Sequence, residues 1–592
     1  MTICRPRTLT RRLDDSLSWG SNRQGASRLD NLQDSGNLAQ QCTSQSTIRP
    51  PSHSSLRDQK LAIPEDISLV GFDEPHMKSA LAFVLATVRI SWRRVSPVLA
   101  LVPGAILAAD YHADSRSGDD TRDGRTAATA WRTLDRVNAA SFKPGDRVLF
   151  RAGSTWSGQL RIVAQGEPRR PIIFRSFGQG SRPRIDTAGA FEDAVLIRNA
   201  QHVEVRDFEL TNHGESNQTR RGVNLVADNC GTLTNILVSG LFIHDVNGTQ
   251  RRKNTGGIIF HSFGDHQPSR YNGLRIERNI IWHIDRSGIA AQSHHSARTR
   301  WFPSTNVVIR DNWVGDAGGD GIVPWATDGC LVEHNIVQGA NERAGTYNAG
   351  IWPWSTDNTV LRLNRASGVK TLLDGQGFDS DYNSRNTVLE FNLSHDNEGG
   401  FLLICTPGKR KPEDNLGNLG TIARYNISRH DRARSFNISA VEHTRVRHNA
   451  IYIGPGHEVQ VVLLSNWSGW AKDLELRDNL FHSEGLARYG HEISRTKDGA
   501  YGIGPGWGPA LEVVSRGNRY VGHHEDRPAE ADPASASAPQ PISFDDWPGP
   551  QFDPRRPETF DAYLKAHRRW MLRLMERQFG RTPLREAGLR PR

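Results

Sequence analysis

The chain contains an internal repeat, and a repeat constrains the fold more strongly than any other feature of this sequence. Three six-residue stretches align almost residue for residue, and each continues into a short segment that ends in Asn; they are Asp320–Trp325, Ala349–Trp354 and Gln376–Asp381. Fainter copies lie at 257–261, 288–292 and 400–404. The period is roughly 23 to 34 residues. Such units stack as coils, each of which contacts only its neighbours.

The segments that end in Asn alternate apolar and charged residues. Examples are Leu274–Asn279, Val307–Asn312 and Leu331–Asn335. Alternation at period two is typical of strands with one face in a core. Asn suits the end of such a strand because it tolerates left-handed backbone angles. In a stack of coils these amides would form an internal ladder, which gives the Asn residues a structural role.

Helical periodicity is nearly absent between residues 145 and 525. A short helix within 131–138 would cover the first coil. Near the other end, residues 557–579 form an amphipathic pattern. Its apolar side consists of Phe560, Tyr563, Leu564, Trp570, Leu572 and Leu574.

The repeat, together with the lead-in segment Lys143–Gly153 (KPGDRVLFRAG), resembles the right-handed parallel β-helix proteins, the pectate-lyase-like superfold. The resemblance covers about residues 110–525. It implies an all-β solenoid with a capping C-terminal helix. It also implies carbohydrate chemistry, because this superfold consists mostly of secreted polysaccharide lyases, glycoside hydrolases and epimerases. The resemblance is specific for the fold and not for one of these activities.

Residues 1–76 lack this pattern and are rich in Ser, Gln and Arg. This composition predicts a segment that is disordered or does not belong to the native product. Within it, Leu61–Asp73 resembles one strand segment of lac-repressor-type regulators. The rest of that fold, including a helix-turn-helix, is missing, so a regulator is only a distant alternative.

Residues 77–109 have the pattern of a signal peptide. A basic stretch with Arg89, Arg93 and Arg94 precedes an apolar run that ends in small residues. The run is short for a membrane span, so we expect no stable membrane insertion. Translation would begin at or near Met77, and the mature, secreted or periplasmic protein would begin near Asp110. We assign 110–525 to the β-helix and 526–592 to a linker and the amphipathic helix.

Charge and cysteine content exclude several classes of protein. The net charge of +9 is spread over 592 residues. The sequence contains no basic run with interleaved aromatic residues, which is the pattern that would indicate nucleic-acid binding. The five Cys residues show no CxxC or Cys/His spacing for zinc. Cys330 and Cys405 lie in strand-like segments and are expected to be buried thiols. We expect a monomer whose partner is a polysaccharide or an oligosaccharide.

Counting from the Gly of each copy predicts which side chains leave the core. The first and third residues are mostly apolar, so the second and fourth point outward. The outward set contains His261, Gln292, Trp325, Trp352, Trp354, Asp379 and Asp381. Exposed aromatic patches mark binding sites, and sugar C–H faces stack on aromatic rings. The alternative is that long loops cover these residues and that the Trp side chains belong to a satellite core.

Several acidic side chains lie close together in this predicted cleft, and they are the candidates for catalysis. Asp379 and Asp381 share a strand and are the candidates for nucleophile or base, with Glu398 or Asp374 as proton donor. His395 would orient or assist; the alternative is that its His-Asp dipeptide, which recurs at 244–245 and 430–431, only forms a turn. The candidate substrate contacts are His261, Gln292, Asp320, Trp325, Trp352, Trp354, Tyr382 and Arg385. Neighbouring coils are about 4.8 Å apart, a spacing that suits the paired carboxylates of glycosidases.

The sequence leaves three functions open. The first is a glycoside hydrolase that requires no cofactor, and the aromatic ladder favours a neutral sugar. The second is a lyase or epimerase on an acidic glycan, in which the acids hold calcium and a base such as Lys370, Arg385, Lys409 or Arg410 removes a proton. The third is a carbohydrate-binding protein without catalysis. The β-helix β-xylosidases pair an Asp similar to Asp379 with a Glu on the next coil, and this sequence has Leu there.

Overall fold

The computed structural model describes residues 108–215, 217–406, 413–496, 500–532 and 542–589. These residues all belong to one compact unit, which spans 106–592. The predictions for 1–76 and for nearly all of 77–109 lie outside the described residues, as do the candidate bases Lys409 and Arg410. In the part that is described, no helix is both long and apolar enough to cross a membrane.

The protein is a right-handed parallel β-helix, as predicted. Each coil passes through three faces, and each strand pairs in parallel with its counterpart in the next coil. The first face is built by Thr155–Ser157, Arg184–Asp186, Glu209–Asn212, Phe242–Val246, Ile280–Ile284, Trp313–Ala317, Ile336–Gln338, Arg365–Ser367, Leu393–His395, Ile427–Arg429, Ala450–Ile453, the beginning of Leu480–Arg495, and Arg519–Glu525.

The second face follows in each coil. It is built by Leu160–Ile162, Asp193–Arg198, Arg221–Ala227, Gly256–Ser262, Ser287–Ser293, Ile322–Val323, Gln376–Ser380, Gly400–Cys405, Arg434–Ser439, Glu458–Ser465 and the remainder of Leu480–Arg495, which pairs antiparallel with Tyr501–Pro505.

The third face returns the chain to the first. It is built by Asp110–Ala113, Arg147–Arg151, Ile172–Phe177, Val203–Arg206, Thr232–Thr234, Ile236–Ser239, Arg270–Asn272, Arg275–Glu277, Ser304–Thr305, Val308–Arg310, Trp325–Asp328, Leu331–Glu333, Trp354–Asp357, Val360–Arg362, Ser384–Arg385, Val388–Glu390, Asn418–Leu419, Ile422–Arg424, Val441–Arg447, Lys472–Arg477 and Val513–Arg516.

The predicted Asn ladder runs through the stack where the third face turns into the first. Its members are Asn279, Asn312, Asn335, Asn364, Asn392, Asn426, Asn449, Asn479 and Asn518. Each backbone N–H donates to the side-chain oxygen of the next Asn at 3.0 to 3.1 Å. Glu530 ends the ladder by accepting from the backbone of Asn518 at 3.1 Å. The ladder satisfies polar groups that the corner would otherwise bury without partners.

One detail of the corner differs from the prediction. The left-handed backbone angle belongs to the residue before each ladder Asn, as in His334 (φ 55°), Leu363 (φ 54°) and Phe391 (φ 56°). A left-handed conformation costs an L-residue roughly 1–2 kcal/mol, and the adjoining Asn hydrogen bonds offset this cost. The corner therefore accepts Leu or Phe at the left-handed position, because the hydrogen bonds of the adjacent ladder Asn stabilise the turn.

The predicted helices are present. A short helix, Leu134–Asn138, begins where the Thr133 hydroxyl accepts the N–H of Arg136 at 3.1 Å. Near the C-terminus, the 3₁₀ turn Pro557–Thr559 leads into Phe560–Phe579, and Arg581–Glu586 follows. Two further 3₁₀ turns are Ala127–Thr129 and Arg298–Arg300.

The C-terminal helix Phe560–Phe579 covers the flank of the stack, whereas an end cap would cover the last coil. Phe560 and Leu564 pack on first-face residues such as Trp313, and Trp570 and Leu574 pack with residues of later coils. The first face is apolar on its outer side too, which explains this position. The helix buries Phe560, Tyr563, Leu564, His567, Trp570, Met571, Leu574 and Met575, while Leu572 is only partly buried.

Candidate active site

The second face positions the predicted site. The registers Ile258–Ile289, Ile289–Ile322 and Ile351–Phe378 agree with the sequence alignment of the copies. A cluster of apolar side chains, separate from the main core, lies on the outside of this face; it consists of Ile259, Ala290, Val323, Ala349 and Trp352, with Trp354 packed against it. The second residue of the four copies that begin at Gly257, Gly288, Gly321 and Gly350 therefore points outward, as predicted.

The alignment is wrong by one residue at the last copy. Gly400 pairs with Gln376, so Asp379 lies opposite Leu403 and not opposite Leu402. Gly400 has a φ of 128°, which an L-residue rarely adopts, and it enters the strand earlier than the Gly of other copies. Leu402 and Ile404 consequently point into the main core.

The two copies of the repeat that contain Pro begin on the second face of the β-helix and end on the third. Ile322–Val323 belongs to the second face, whereas Trp325–Asp328 and Trp354–Asp357 belong to the third. The reason is that Pro324 and Pro353 lack the N–H group that would continue the second-face ladder. Trp325 and Trp354 therefore lie at the corner between the two faces.

The three predicted Trp contacts differ in accessibility. The rings of Trp325 and Trp354 stack with their centroids 4.3 Å apart and an interplanar angle of 13°. The ring of Tyr382 lies next to this pair, 5.4 Å from that of Trp354 and tilted by 59°. Trp325 and Trp352 are only 5% and 6% exposed, and Trp325 joins the main core, so the expectation of an openly exposed patch is wrong for these two. Trp354 stays partly exposed.

Three acids meet at the end of this stack. Asp379 lies within Gln376–Ser380, Asp381 follows that strand, and Asp374 lies in the loop before it. The pKa of Asp374 is raised to about 7, first by burial and then by the charge of Asp381. Burial, Asp381 and Asp374 together raise the pKa of Asp379 well above its usual range. The three carboxyl groups therefore cannot all be ionised at neutral pH.

The carboxyl groups of Asp381 and Asp379 have different surroundings. Oδ1 of Asp381 accepts the backbone N–H of Tyr382 at 2.7 Å and the thiol of Cys405 at 3.3 Å. Asp379 is only 4% exposed, and its Oδ1 has no hydrogen-bond partner among the described residues. Donors stabilise an ionised carboxylate and burial without donors a protonated one, so the negative charge belongs on Asp381.

Lys253 is a member of the site that sequence reasoning missed. It lies in the loop before Gly256–Ser262, and its Nζ is 2.9 Å from Oδ2 of Asp320 and 4.7 Å from the ring centroid of Trp352. Its charge lowers the pKa of Asp374 and Asp379. The loop shows no periodicity, so no pattern in the sequence links Lys253 to the acids.

Asp320 was predicted to contact substrate, and the structure buries it completely. Its carboxylate binds Lys253, Nη1 of Arg286 at 3.1 Å and the indole N–H of Trp352 at 3.0 Å. These positive partners hold the pKa of Asp320 below its usual value against the effect of burial. Asp320 thus anchors Lys253 and Trp352 beside the acids.

Arg434 is a second member that the sequence did not reveal. This buried residue begins Arg434–Ser439. Its Nη2 donates to the backbone oxygen of Leu372 at 2.7 Å and lies 3.5 Å from that of Asp374. The guanidinium therefore fixes the loop that carries Asp374.

His395 and Glu398 do not join the three acids in this arrangement. His395 lies on the first face, where its ring is 4.6 Å from that of Trp547 in the C-terminal segment. Burial lowers the pKa of His395 to about 4, and its Nε2 accepts from Nε of Arg365 at 2.9 Å. Glu398 accepts the backbone N–H of Thr371 at 2.8 Å. Of the two proton-donor candidates, the structure favours Asp374.

The remaining predicted contacts surround the site at different depths. His261 and Gln292 are paired neighbours on the second face, in coils that precede the Trp stack. His261 is buried, which lowers its pKa to about 3, so its ring is neutral. Arg385 donates to Oδ2 of Asp357 at 2.7 Å, and Arg298 binds the same carboxylate. No group of His, Cys, Asp and Glu arranged to hold a metal ion occurs among the described residues.

Comparisons with known proteins agree with this fold. A family model described as the right handed beta helix region matches residues 188–366. A lacto-N-biosidase from Bifidobacterium longum subsp. longum is 26% identical over an alignment that covers 59% of this chain and 28% of that protein. This chain therefore spans little more than a quarter of the length of that relative.

A solved structure is similar over a longer share of its own chain. The crystal structure of the GH136 lacto-N-biosidase from Eubacterium ramulus has a TM-score of 0.54 and 26% identity, covering 63% of this chain and 68% of that one. Its selenomethionine derivative gives the same score over 67% of that chain. The resemblance to right-handed β-helix proteins that act on carbohydrates is confirmed.

Proposed function

We propose that this protein is a glycoside hydrolase in which Asp374 is the proton donor and Asp381 is the nucleophile or base. One observation carries the proposal: burial raises the pKa of Asp374 to about 7, whereas Asp381 accepts two hydrogen bonds that favour its ionised form. Paired acids whose environments separate their pKa values are the usual machinery of glycoside hydrolysis. The similarity to two lacto-N-biosidases supports the same reaction class.

Asp374 suits the role of the acid. Its pKa of about 7 leaves a large fraction protonated near neutral pH, where a free Asp would be almost fully ionised. The carboxyl proton moves to the glycosidic oxygen as the bond from that oxygen to the anomeric carbon breaks. Arg434 holds the loop, so the acid stays in place while its proton leaves.

Asp381 suits the complementary role. Its two donors, the Tyr382 N–H and the Cys405 thiol, stabilise the carboxylate. The carboxylate either attacks the anomeric carbon or takes a proton from the attacking water. In both cases water supplies hydroxide to the anomeric carbon and a proton to the leaving oxygen in the overall reaction. Protonated Asp379 beside it avoids a second negative charge.

The aromatic stack indicates where the sugar lies. Trp354 is partly exposed, and Tyr382, which its ring contacts, directly follows Asp381. A sugar ring stacked on Trp354 would therefore extend toward the acids. Because both relatives are lacto-N-biosidases, we propose a glycan that contains lacto-N-biose as the first substrate to test. We also propose that the protein acts outside the cytoplasm, since 77–109 has the pattern of a signal peptide.

The test uses the full chain and the 4-nitrophenyl glycoside of lacto-N-biose, together with a panel of oligosaccharides. Asp381→Asn should lower kcat by at least about 10²- to 10⁴-fold. Asp374→Asn should lose more activity on oligosaccharides than on the nitrophenyl glycoside, because nitrophenolate leaves without a proton. Glu442→Gln, which removes an exposed partner of Lys472, is the matched control.

Three outcomes decide the proposal. Loss of activity in both Asp variants, with a normal Glu442→Gln protein, supports it. Wild-type turnover in Asp374→Asn and Asp381→Asn would refute the assignment of the two roles. Products that absorb ultraviolet light as unsaturated sugars, lost upon chelation of calcium, would show a lyase.

For the location, an N-terminal sequence of the natural protein beginning near Asp110 is expected, and one beginning well before Met77 would contradict it.

A further inference from the structure

A hairpin forms a wall beside the candidate active site. It consists of the end of Leu480–Arg495 and the antiparallel strand Tyr501–Pro505, with Arg495 opposite Tyr501. The Arg495 guanidinium carbon is 4.9 Å from the ring centroid of Trp467 and 5.2 Å from that of Tyr501. A guanidinium flanked by two rings keeps its N–H edge available for a ligand.

A chain of contacts connects this wall to the acids. The guanidinium of Arg434, which fixes the Asp374 loop, lies 5.3 Å from the same Tyr501 ring. On the other side, the Trp467 backbone N–H donates to the Ser439 hydroxyl at 3.1 Å, and Ser439 is the strand neighbour of Cys405, the partner of Asp381. The wall and the acids are thus linked by a chain of contacts through the buried residues Arg434, Ser439 and Cys405.

Neither Arg434 nor Arg495 forms an ion pair with a carboxylate within the described part of the chain. Two other buried arginines do, since Arg221 binds Asp193 and Arg286 binds Asp320, whereas buried Arg220 and Arg365 also lack such a pair among the described residues. Arg434 is only 6% exposed, and its Nε is buried with no described partner. The charge of Asp374 offsets part of the cost of burying this cation, and an anionic ligand would offset more of it.

We propose that Arg434, Arg495 and Tyr501 form an anion-recognising subsite for a sugar that carries a carboxylate or sulfate group. The proposal rests on the glycan substrate proposed above, and it adds that this glycan carries a negative charge. Arginine suits this role because its planar fork gives two parallel hydrogen bonds to either anion. Packing of the hairpin alone would explain the stacking of Arg495, but it leaves two neighbouring guanidinium groups, those of Arg434 and Arg495, without an ion-paired carboxylate among the described residues.

Binding measurements test the subsite without turnover. The probes are glucuronic acid, N-acetylglucosamine 6-sulfate and unsubstituted N-acetylglucosamine, titrated into the full chain by calorimetry or ligand-detected NMR. We expect at least one anionic probe to bind about tenfold more tightly than the neutral sugar and to weaken with added salt, since salt screens charge. Tight binding of the uronic acid alone indicates a carboxylate, and that of the sulfate ester alone indicates a sulfated sugar.

Variants of Arg495 identify the group responsible. Arg495→Gln should remove the preference for the anionic probe, and Arg495→Lys should restore part of it because the charge returns without the fork. Arg488→Gln, on the same long strand but paired with Glu458 and Glu525, is the matched control and should keep the preference. Thermal unfolding confirms that each variant is folded.

The outcomes separate this proposal from the proposed function. Equal affinity for anionic and neutral probes in the wild type would refute the subsite, even if the protein hydrolyses glycans. An equal loss for all probes in Arg495→Gln would also refute it, since it would show that the arginine only braces the hairpin. An anionic preference that depends on Arg495 supports the subsite, even if no hydrolysis is found.

Discussion

Replacing Lys253 should move the alkaline limit of activity to higher pH. If Asp374 must be protonated, activity is lost as the pH rises through its pKa of about 7. The Lys253 charge lowers that pKa, so Lys253→Met should raise the pKa and extend activity upward in pH. The sign follows from electrostatics alone, because a lost positive neighbour disfavours the ionised acid.

The size of the shift follows from the contacts between the two residues. Nζ of Lys253 is 3.3 Å from Oδ1 of Asn348, whose backbone oxygen accepts the N–H of Gly375 at 3.0 Å, next to Asp374. For two charges separated by about 8 Å, an effective dielectric constant of about 20 corresponds to an interaction of about 2 kcal/mol. Lys253 is one-third exposed, and screening reduces this to about 1 kcal/mol, or about 0.7 pKa unit.

The assay is the pH dependence of kcat/KM for wild type, Lys253→Met and the control Lys472→Met, whose ammonium group pairs with the exposed Glu442. The apparent pKa of the alkaline limb belongs to the coupled acids together and not to Asp374 alone. The difference in this apparent pKa between variants is therefore more informative than its absolute value. We expect an upward shift for Lys253→Met and none for Lys472→Met. A limb that stays in place or moves to lower pH in Lys253→Met would refute the reasoning.

Three further results are expected. Asn392→Ala should lower the free energy of unfolding by about 3–5 kcal/mol, because it leaves buried donors and an acceptor of the ladder unpaired; urea unfolding should show a smaller loss, of about 1 kcal/mol, for the exposed Asn386→Ala, whose left-handed backbone favours Asn. Trp354→Ala should raise KM for oligosaccharides at least about tenfold if its ring is the sugar platform, and an unchanged KM would contradict this role. Cys405 should resist alkylation in the native protein, because burial raises the pKa of its thiol, whereas the partly exposed Cys230 should react, as mass spectrometry can determine.

Sequence reasoning predicted the features that the repeat fixes. The period aligns Ile258, Ile289 and Ile322, so coil direction, register and the outward positions follow from the spacing. The acids Asp379 and Asp381 were found because alternation places them on one side of a strand. These predictions depend only on local chain geometry, which a single repeat unit already contains.

The sequence failed where the site depends on loops or on single residues that bend the chain. Lys253 and Arg434 reach the acids from other coils, and their contacts with Asp320 and Leu372 depend on loop shape. Pro324 was read as an inward-facing residue, although its missing N–H turns the strand onto another face. The candidate role of His395 ignored which face of its coil it occupies.

The Asn ladder has a direction, and its end determines how the stack stops. The backbone N–H of every ladder Asn donates toward the following coil, so the ladder leaves an N–H donor at its last member, Asn518. The carboxylate of Glu530 lies at that end and also accepts the hydroxyl of Tyr520 at 2.5 Å. A carboxylate has no N–H to pass on. Glu530 therefore terminates the ladder, because it accepts the last N–H and offers no donor to a further coil.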